Sequence, residues 1–223
     1  MKLKYFLRLI ILFLLFCGIS FPCTAQDLSA EEAKNWALNK GHEILNILTT
    51  ARGEDKFTKL DEIADNDVDL DYAAKFVVGK YWRQMSEEQK QKYLPLFKRY
   101  TKSLYKSYSL DLQEGDVDFT VDKVLTNPNG ADVYCSVKVK MIEQNVDDKS
   151  KGGVKATFSL VKIDGMVKVR DLKIEESSFL NAYRDRFYKM IHEDSDDEID
   201  WFLEDLETIV EDNEEKFEQE YEL

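Results

Sequence analysis

An α+β fold is predicted by three observations. Apolar residues recur at three- and four-residue spacings through the first half of the chain, the period falls to two between residues 117 and 174, and helical spacing returns from residue 178. Consecutive strands that are apolar on mainly one face pair as an antiparallel meander, and that face has to be covered by helices. The expected architecture is therefore N-terminal helices, a four-stranded antiparallel meander sheet and C-terminal helices.

Residues 1–25 read as an export signal. Lys2, Lys4 and Arg8 supply a positive start, residues 9–21 an apolar run, and Cys23-Thr24-Ala25 a small-residue cleavage site. The mature chain is expected to begin at Gln26 and to form one domain over 26–223. No later stretch approaches the ~20 apolar residues of a membrane span, so a soluble exported protein is expected. Neither Cys17, after Phe16, nor Cys23, after Pro22, fits a lipid-anchor cysteine. Cys135 is then alone in the mature chain, which leaves no internal disulfide and no cysteine-based zinc site.

The first helix is expected over residues 30–51, with Ala33, Trp36, Ala37, Ile44, Ile47 and Leu48 as its apolar side and Ser29 with Glu32 as a capping box. A short helix over 57–64 and another over 70–79 follow, the latter ended by Gly79 in a left-handed conformation. Ser86-Glu87-Glu88-Gln89 caps a long helix on which Tyr93, Phe97, Tyr100, Leu104 and Tyr108 share one face. Lys90, Lys92, Lys98, Arg99, Lys102 and Lys106 occupy much of the rest, and Pro95 is expected to bend it.

The strands come next. Val117, Phe119 and Val121 alternate with polar residues, as do Val133, Cys135, Val137, Val139 and Met141 after an Asn127-Pro128-Asn129-Gly130 turn. Beyond Gly152-Gly153 a third strand carries Val154, Ala156, Phe158 and Leu160, and Asp164-Gly165 joins it to a fourth over 166–174. Residues 178–191 return to helical spacing with Phe179, Tyr183, Phe187 and Ile191. A final amphipathic helix over 196–220 carries Ile199, Phe202, Leu206, Ile209, Val210 and Phe217 on one side and carboxylates on the other.

Charge is distributed unevenly. The full chain carries −13; residues 26–192 hold 27 basic against 28 acidic side chains, and residues 193–223 hold sixteen acidic side chains and one Lys. A neutral body has no basic footprint, so no nucleic-acid partner is expected. An acidic last helix suggests, on charge alone, a basic surface on a partner.

Catalytic patterns are missing. His42 and His192 are the only histidines and fit no metal-ligand spacing, and there is no nucleophile elbow or phosphate loop. Asp61-Glu62 and Asp67-Val68-Asp69-Leu70-Asp71 lack the glycine and closing Glu of a calcium loop and read as solvated acidic segments. Cys135 lies on the apolar face of its strand and reads as a small core hydrophobe. No metal, no cofactor and no enzymatic activity are expected.

The segment Val77-Val78-Gly79-Lys80-Tyr81-Trp82-Arg83, followed by Ser86-Glu87-Glu88-Gln89 and then Phe97 and Tyr100, resembles the signature of the MlaC family, also known as toluene-tolerance or ABC-transporter auxiliary proteins. The run Val169-Arg170-Asp171-Leu172-Lys173-Ile174-Glu175, with Ser178 and Tyr183-Arg184, looks like a second family stretch. The likeness extends over the mature chain in order. Glu176 stands where the family has Gly, Pro95 interrupts the long helix, and the tail is more acidic than the family pattern.

The resemblance implies a periplasmic phospholipid carrier with a cavity between a curved sheet and helices, NTF2/cystatin-like in character. Such a carrier shuttles lipid between an inner-membrane ABC transporter complex and an outer-membrane lipoprotein–porin complex and maintains outer-membrane lipid asymmetry. The cavity wall it suggests comprises Val77, Tyr81, Trp82, Phe97, Tyr100 and Leu104 from the helices, Val133, Cys135, Val137, Val139, Ala156, Phe158 and Leu160 from the sheet, and Phe179 and Tyr183 beyond it. Two alternatives are a pocket enzyme on an NTF2-like fold, such as an isomerase or dehydratase, and an interaction module acting through the acidic helix. The first needs a carboxylate or His among the rings.

Overall fold

The computed structural model describes residues 28–106, 113–127, 132–141 and 154–221. The expected export signal, Tyr108, most of the turn after Asn127 and Gly152-Gly153 lie outside the described residues. In chain order the elements are α1 (Ala30–Thr50), α2 (Gly53–Asp67), α3 (Leu70–Val78), a 3₁₀ turn (Gly79–Arg83), α4 (Glu87–Lys106), β1 (Val117–Thr126), β2 (Val133–Met141), β3 (Val154–Ile163), β4 (Met166–Ile174), β5 (Ser177–Ser178), α5 (Phe179–Lys189), a π turn (Met190–Asp194) and α6 (Ile199–Tyr221). The strands form one antiparallel sheet in the order β1-β2-β3-β4-β5. The two-residue β5 adds to the expected meander: Glu175, at φ 53°, turns the chain back so that Ser177 pairs with Ile174.

Local chemistry explains most boundaries. Ser86 and Gln89 form a full capping box at α4, Gln89 N–H donating to Ser86 Oγ at 3.1 Å and Ser86 N–H to Gln89 Oε1 at 2.9 Å. At α1 only half a box forms: Glu32 N–H donates to Ser29 Oγ at 3.2 Å, while the Glu32 carboxylate takes Lys162 of β3 at 2.8 Å. Asp164 and Gly165, at φ 50° and 81°, make the tight hairpin between β3 and β4. α4 runs through Pro95, which is exposed, so the Gln91 carbonyl it cannot satisfy faces the solvent side. α2 is longer than the sequence spacing suggests, because its polar first and last turns carry no apolar period.

One hydrophobic core lies among α3, α4, α5, the π turn and α6. Tyr93, Phe97, Phe187, Phe202, Leu203, Leu206 and Val210 are buried there. A second lies between α1 and the sheet, with Leu28, Ala33 and Ala37 over Val133, Cys135 and Leu160.

The acidic last helix answers the basic long helix. Lys92 pairs with Glu207 at 2.9 Å and Arg99 with Glu214 at 2.6 Å, while Gln89 donates to Asp200 at 2.8 Å. The other flank of α4 reaches α2, where Lys102 meets Asp65 at 2.7 Å and Lys106 meets Asp61 at 3.0 Å; Tyr105 also donates to Asp61. A basic surface for the acidic helix is thus present within the chain itself. The acidic segment around residue 67 is likewise engaged rather than simply solvated: Asp67 pairs with Lys40 and Asp71 with Lys98, while Asp69 caps α3 at Tyr72 N–H and pairs with Arg170.

Gly79 sits at φ 49°, and a Cβ there would lie 2.3 Å from the Tyr188 hydroxyl and 3.0 Å from an Arg184 nitrogen. Gly79→Ala is therefore expected to lower stability by about 1–3 kcal/mol in denaturant unfolding; an unchanged midpoint would contradict the close packing of α3 on α5. At the other end of that interface Tyr81 donates to Asp197 at 2.7 Å and His192 Nδ1 lies 2.9 Å from the same carboxylate. The Tyr81 hydrogen bond, then His192, hold the Asp197 carboxyl below its ordinary value. A depressed carboxyl contributes stability above its unfolded value of about 3.9 and loses it as pH falls through the lower folded value. Asp197→Asn, which keeps tolerance of φ 63°, should flatten the acid end of the stability–pH curve without changing its neutral plateau slope.

Candidate functional site

The apolar face of the sheet is continuous but is covered in two ways. Cross-strand pairs Val133↔Leu160, Cys135↔Phe158, Val137↔Ala156 and Val139↔Val154 run along β2 and β3, with Phe119 opposite Val139 and Leu172 opposite Phe158 on the neighbouring strands. At the Val133 end the first turns of α1 lie directly on the sheet and close it. Toward Val137, Val139 and Phe158 the helices stand off, and a cavity of about 460 Å³ remains. That volume lies within the ~300–1,000 Å³ range of small-molecule sites.

Every helix but α6 contributes to the wall. α1 supplies Trp36, Ala37, Gly41, Ile44 and Leu45; α2 and the following link supply Ile63 and Val68; α3 supplies Leu70, Ala73 and Val77; α4 supplies Phe97, Tyr100, Thr101 and Leu104; α5 supplies Phe179, Leu180 and Tyr183. The sheet adds Val117, Phe119, Val137, Val139, Phe158, Val169 and Leu172. Gly41 is required by proximity: a Cβ there would meet the Phe119 ring at 2.4 Å, so its absence lets α1 cross β1 closely. The Phe119 ring also meets the His42 ring, tilted, at 4.9 Å between centroids.

Four charged residues border this apolar wall, and each is matched. Lys40 pairs with Asp67 at 2.8 Å and Glu43 at 2.5 Å. Burial works against its ammonium, but the hydrogen bonds to Asp67 and Glu43 outweigh it and raise its pKa. Arg170 reaches Asp69 at 3.2 Å and Asp132 at 3.3 Å and lies 4.7 Å over the Tyr72 ring. Asp171 accepts from the Ser178 hydroxyl at 2.7 Å and from Leu180 N–H at 3.2 Å. Among the described residues no cluster of His, Cys, Asp and Glu could hold a metal ion.

Strict strand alternation would place the charged residues of the sheet on the face opposite its apolar one. β4 departs from that rule through a bulge: Asp171 opposes Ser159 and Val169 opposes Leu160, leaving Arg170 as the extra residue. The insertion re-aims the side chains around it and brings Arg170 and Asp171 to the cavity.

Of the residues the sequence suggested for the wall, Val77, Phe97, Tyr100, Leu104, Val137, Val139, Phe158, Phe179 and Tyr183 line the cavity. The others lie elsewhere. Val133, Cys135 and Leu160 are packed under α1, and burial pushes the Cys135 thiol above its ordinary pKa. Ala156 is buried beside Val137 but does not reach the hollow. Tyr81 is buried toward Asp197, and Trp82 lies beneath Lys75 and Lys90 at 5.5 and 5.4 Å. The 3₁₀ turn after Gly79 carries both rings away from the sheet.

The α1 residues were the main omission. Their signal was the half-buried apolar series Trp36, Ile44 and Leu45 with an isolated Gly41 in mid-helix, where a packing reason is the usual explanation.

A search of curated proteins finds no match to this sequence. Among solved structures, the phospholipid-binding protein from Ralstonia solanacearum, determined in complex with a phospholipid, is similar with a TM-score of 0.61 at 15% sequence identity; the match covers 80% of this chain and 98% of that one. That likeness shows a shared fold. The family model described as MlaC protein matches residues 40–208, well over half of the chain. The chain belongs to the MlaC family.

Proposed function

We propose that this protein is a periplasmic phospholipid carrier that encloses acyl chains in the cavity and moves lipid between an inner-membrane ABC transporter complex and an outer-membrane lipoprotein–porin complex, so maintaining lipid asymmetry. The observation that carries the reading is the hollow of about 460 Å³ between the sheet and five helices, walled almost wholly by apolar side chains. Each CH₂ of an acyl chain exposed to water costs about 0.8 kcal/mol, so two chains in transit represent on the order of 20 kcal/mol that an enclosing apolar wall offsets. Among the described residues no helix is long and apolar enough to cross a membrane, as a shuttle between two membranes requires. The solved relative from Ralstonia solanacearum holds a phospholipid, and family membership supports the same ligand class here.

A carrier fits the wall better than a catalyst. Asp67 and Asp171, the carboxylates on the lining, are committed to Lys40 and to Ser178 with Leu180 N–H. Neither is free to act as a base on a substrate in the hollow.

Mass spectrometry of an organic extract from the purified protein should find phospholipid at close to one molecule per chain; a clean extract, with no uptake from vesicles, would overturn the proposal. Val137→Asp and Phe158→Asp each put a carboxylate on the wall and should abolish lipid retention while circular dichroism stays native. Lipid retained by a folded variant would remove that part of the sheet from the site.

A further inference from the structure

Cations and rings alternate without a break along the outer side of α3 and α5. The Arg170 guanidinium lies 4.7 Å over Tyr72, whose ring meets Phe76 at 5.9 Å. Arg184 lies 5.1 Å from the Phe76 ring and 5.2 Å from that of Tyr188, and the Lys80 ammonium lies 5.9 Å from Tyr188. Beside this ladder Lys75 and Lys90 cover Trp82. Tyr72, Lys75 and Lys80 are exposed, while Phe76, Trp82, Arg184 and Tyr188 are half-buried. Because α3 turns Leu70, Ala73 and Val77 to the hollow, Tyr72, Lys75 and Phe76 fall on its far side.

The charges of the ladder are treated differently from those of α4. Along α4, Lys92, Lys98, Arg99, Lys102 and Lys106 each meet a carboxylate. Among the described residues Lys75, Lys80 and Arg184 form no ion pair. Asp71, one turn before Lys75, is taken by Lys98, and Asp197, near Lys80, holds Tyr81 and His192. Asp185, exposed beside Arg184, offsets one of these charges and leaves the surplus positive. A lone unpaired lysine is simply solvated; here unpaired cations stand in one row with aromatic rings. That composition belongs to the membrane–water interface, where rings sit at headgroup level and long cationic side chains reach the phosphates.

The chain's net charge of −13 does not forbid an anionic surface. The acidic excess lies on α6, which packs on α4, whereas the ladder runs along α3 and α5. Charges more than a screening length of about 10 Å apart act nearly independently at ordinary salt, so such a surface repels α6 and attracts the ladder, which orients the molecule. The position also suits a carrier. Arg170 belongs both to the ladder and to the cavity wall, and α3 is a single helix, about 10 Å thick, between the ladder and the hollow.

We propose that the cation–ring ladder of Tyr72, Phe76, Lys75, Lys80 and Arg184 is a docking face for the surface of an anionic phospholipid bilayer. Its use rests on the carrier reading above, and it adds the side of the molecule that meets a membrane.

The purified protein, stripped of lipid, is floated with vesicles of phosphatidylcholine and with vesicles of equal parts phosphatidylcholine and phosphatidylglycerol. At low salt it should bind the anionic vesicles roughly tenfold more tightly, and about 1 M salt should erase the difference by cutting the screening length to ~3 Å. Lys75→Glu with Lys80→Glu should remove the preference at an unchanged thermal midpoint, and the milder Lys75→Gln with Lys80→Gln should reduce it in the same direction. Lys59→Glu with Lys216→Glu changes the net charge equally, on α2 and α6, and should leave the preference within about twofold. No preference in the unaltered protein, an undiminished one in the ladder pair, or an equal loss in the control pair overturns the docking. Capture by immobilised polyglutamate with vesicles ignored would assign the ladder to an acidic protein surface and likewise overturn the bilayer. Lipid extracted from a protein that ignores anionic vesicles overturns the docking alone, whereas vesicle binding by a protein that never takes up lipid leaves the docking standing and overturns the carrier reading.

Discussion

Holding α4 away from the sheet is the constraint on which this molecule depends. Protein interiors close up to crystalline density, and a hollow survives only if its walls have better contacts behind them than across it. α4 has such contacts on two sides. Its Tyr93 and Phe97 rings pack with Phe202 and Phe187, while its lysines and Arg99 engage carboxylates on α2 and α6. Exposed ion pairs of this kind contribute only about 0–1 kcal/mol each, so the burial of Phe202, Leu203, Leu206 and Val210 does most of the holding, and the charges fix the register. The acidity of the last helix is thereby an internal match before it is anything else.

The same logic divides the sheet. Where α1 carries alanines and Leu28 packs alongside, it settles on the strands and the Val133 end is an ordinary core. Farther along, Ile44 and Leu45 are bulky and half-buried, and they border the hollow opposite strands that carry Phe119 and Phe158. Gly41 marks a point of close crossing between α1 and β1. One helix thus closes half of an apolar face and roofs the other half.

Much of this was legible in the residues alone. The change of period from 3.6 to 2 and back located every major element, Ser86 with Gln89 announced the start of α4, and Asp164-Gly165 announced the hairpin, because these depend on neighbours in sequence. The wall was legible only by face. Alternation put Cys135 and Val137 on the same side of β2, and both join the core under α1, yet only Val137 also borders the hollow. Arg170 could not be read from alternation at all, since a bulge breaks the period where it stands. Tyr81 and Trp82 adjoin Val77 in sequence but leave its face when the helix tightens to a 3₁₀ turn.

A permanent hollow also has a volumetric side. Unfolding collapses void space into solvent, which is why pressure favours unfolded chains in proportion to the voids they lose. Here the void between the sheet and α4 is large when empty and occupied when filled. Compression therefore acts on the two states unequally: it squeezes the empty one toward unfolding and leaves the filled one much as any close-packed domain. Loading is then a change in density as well as in affinity.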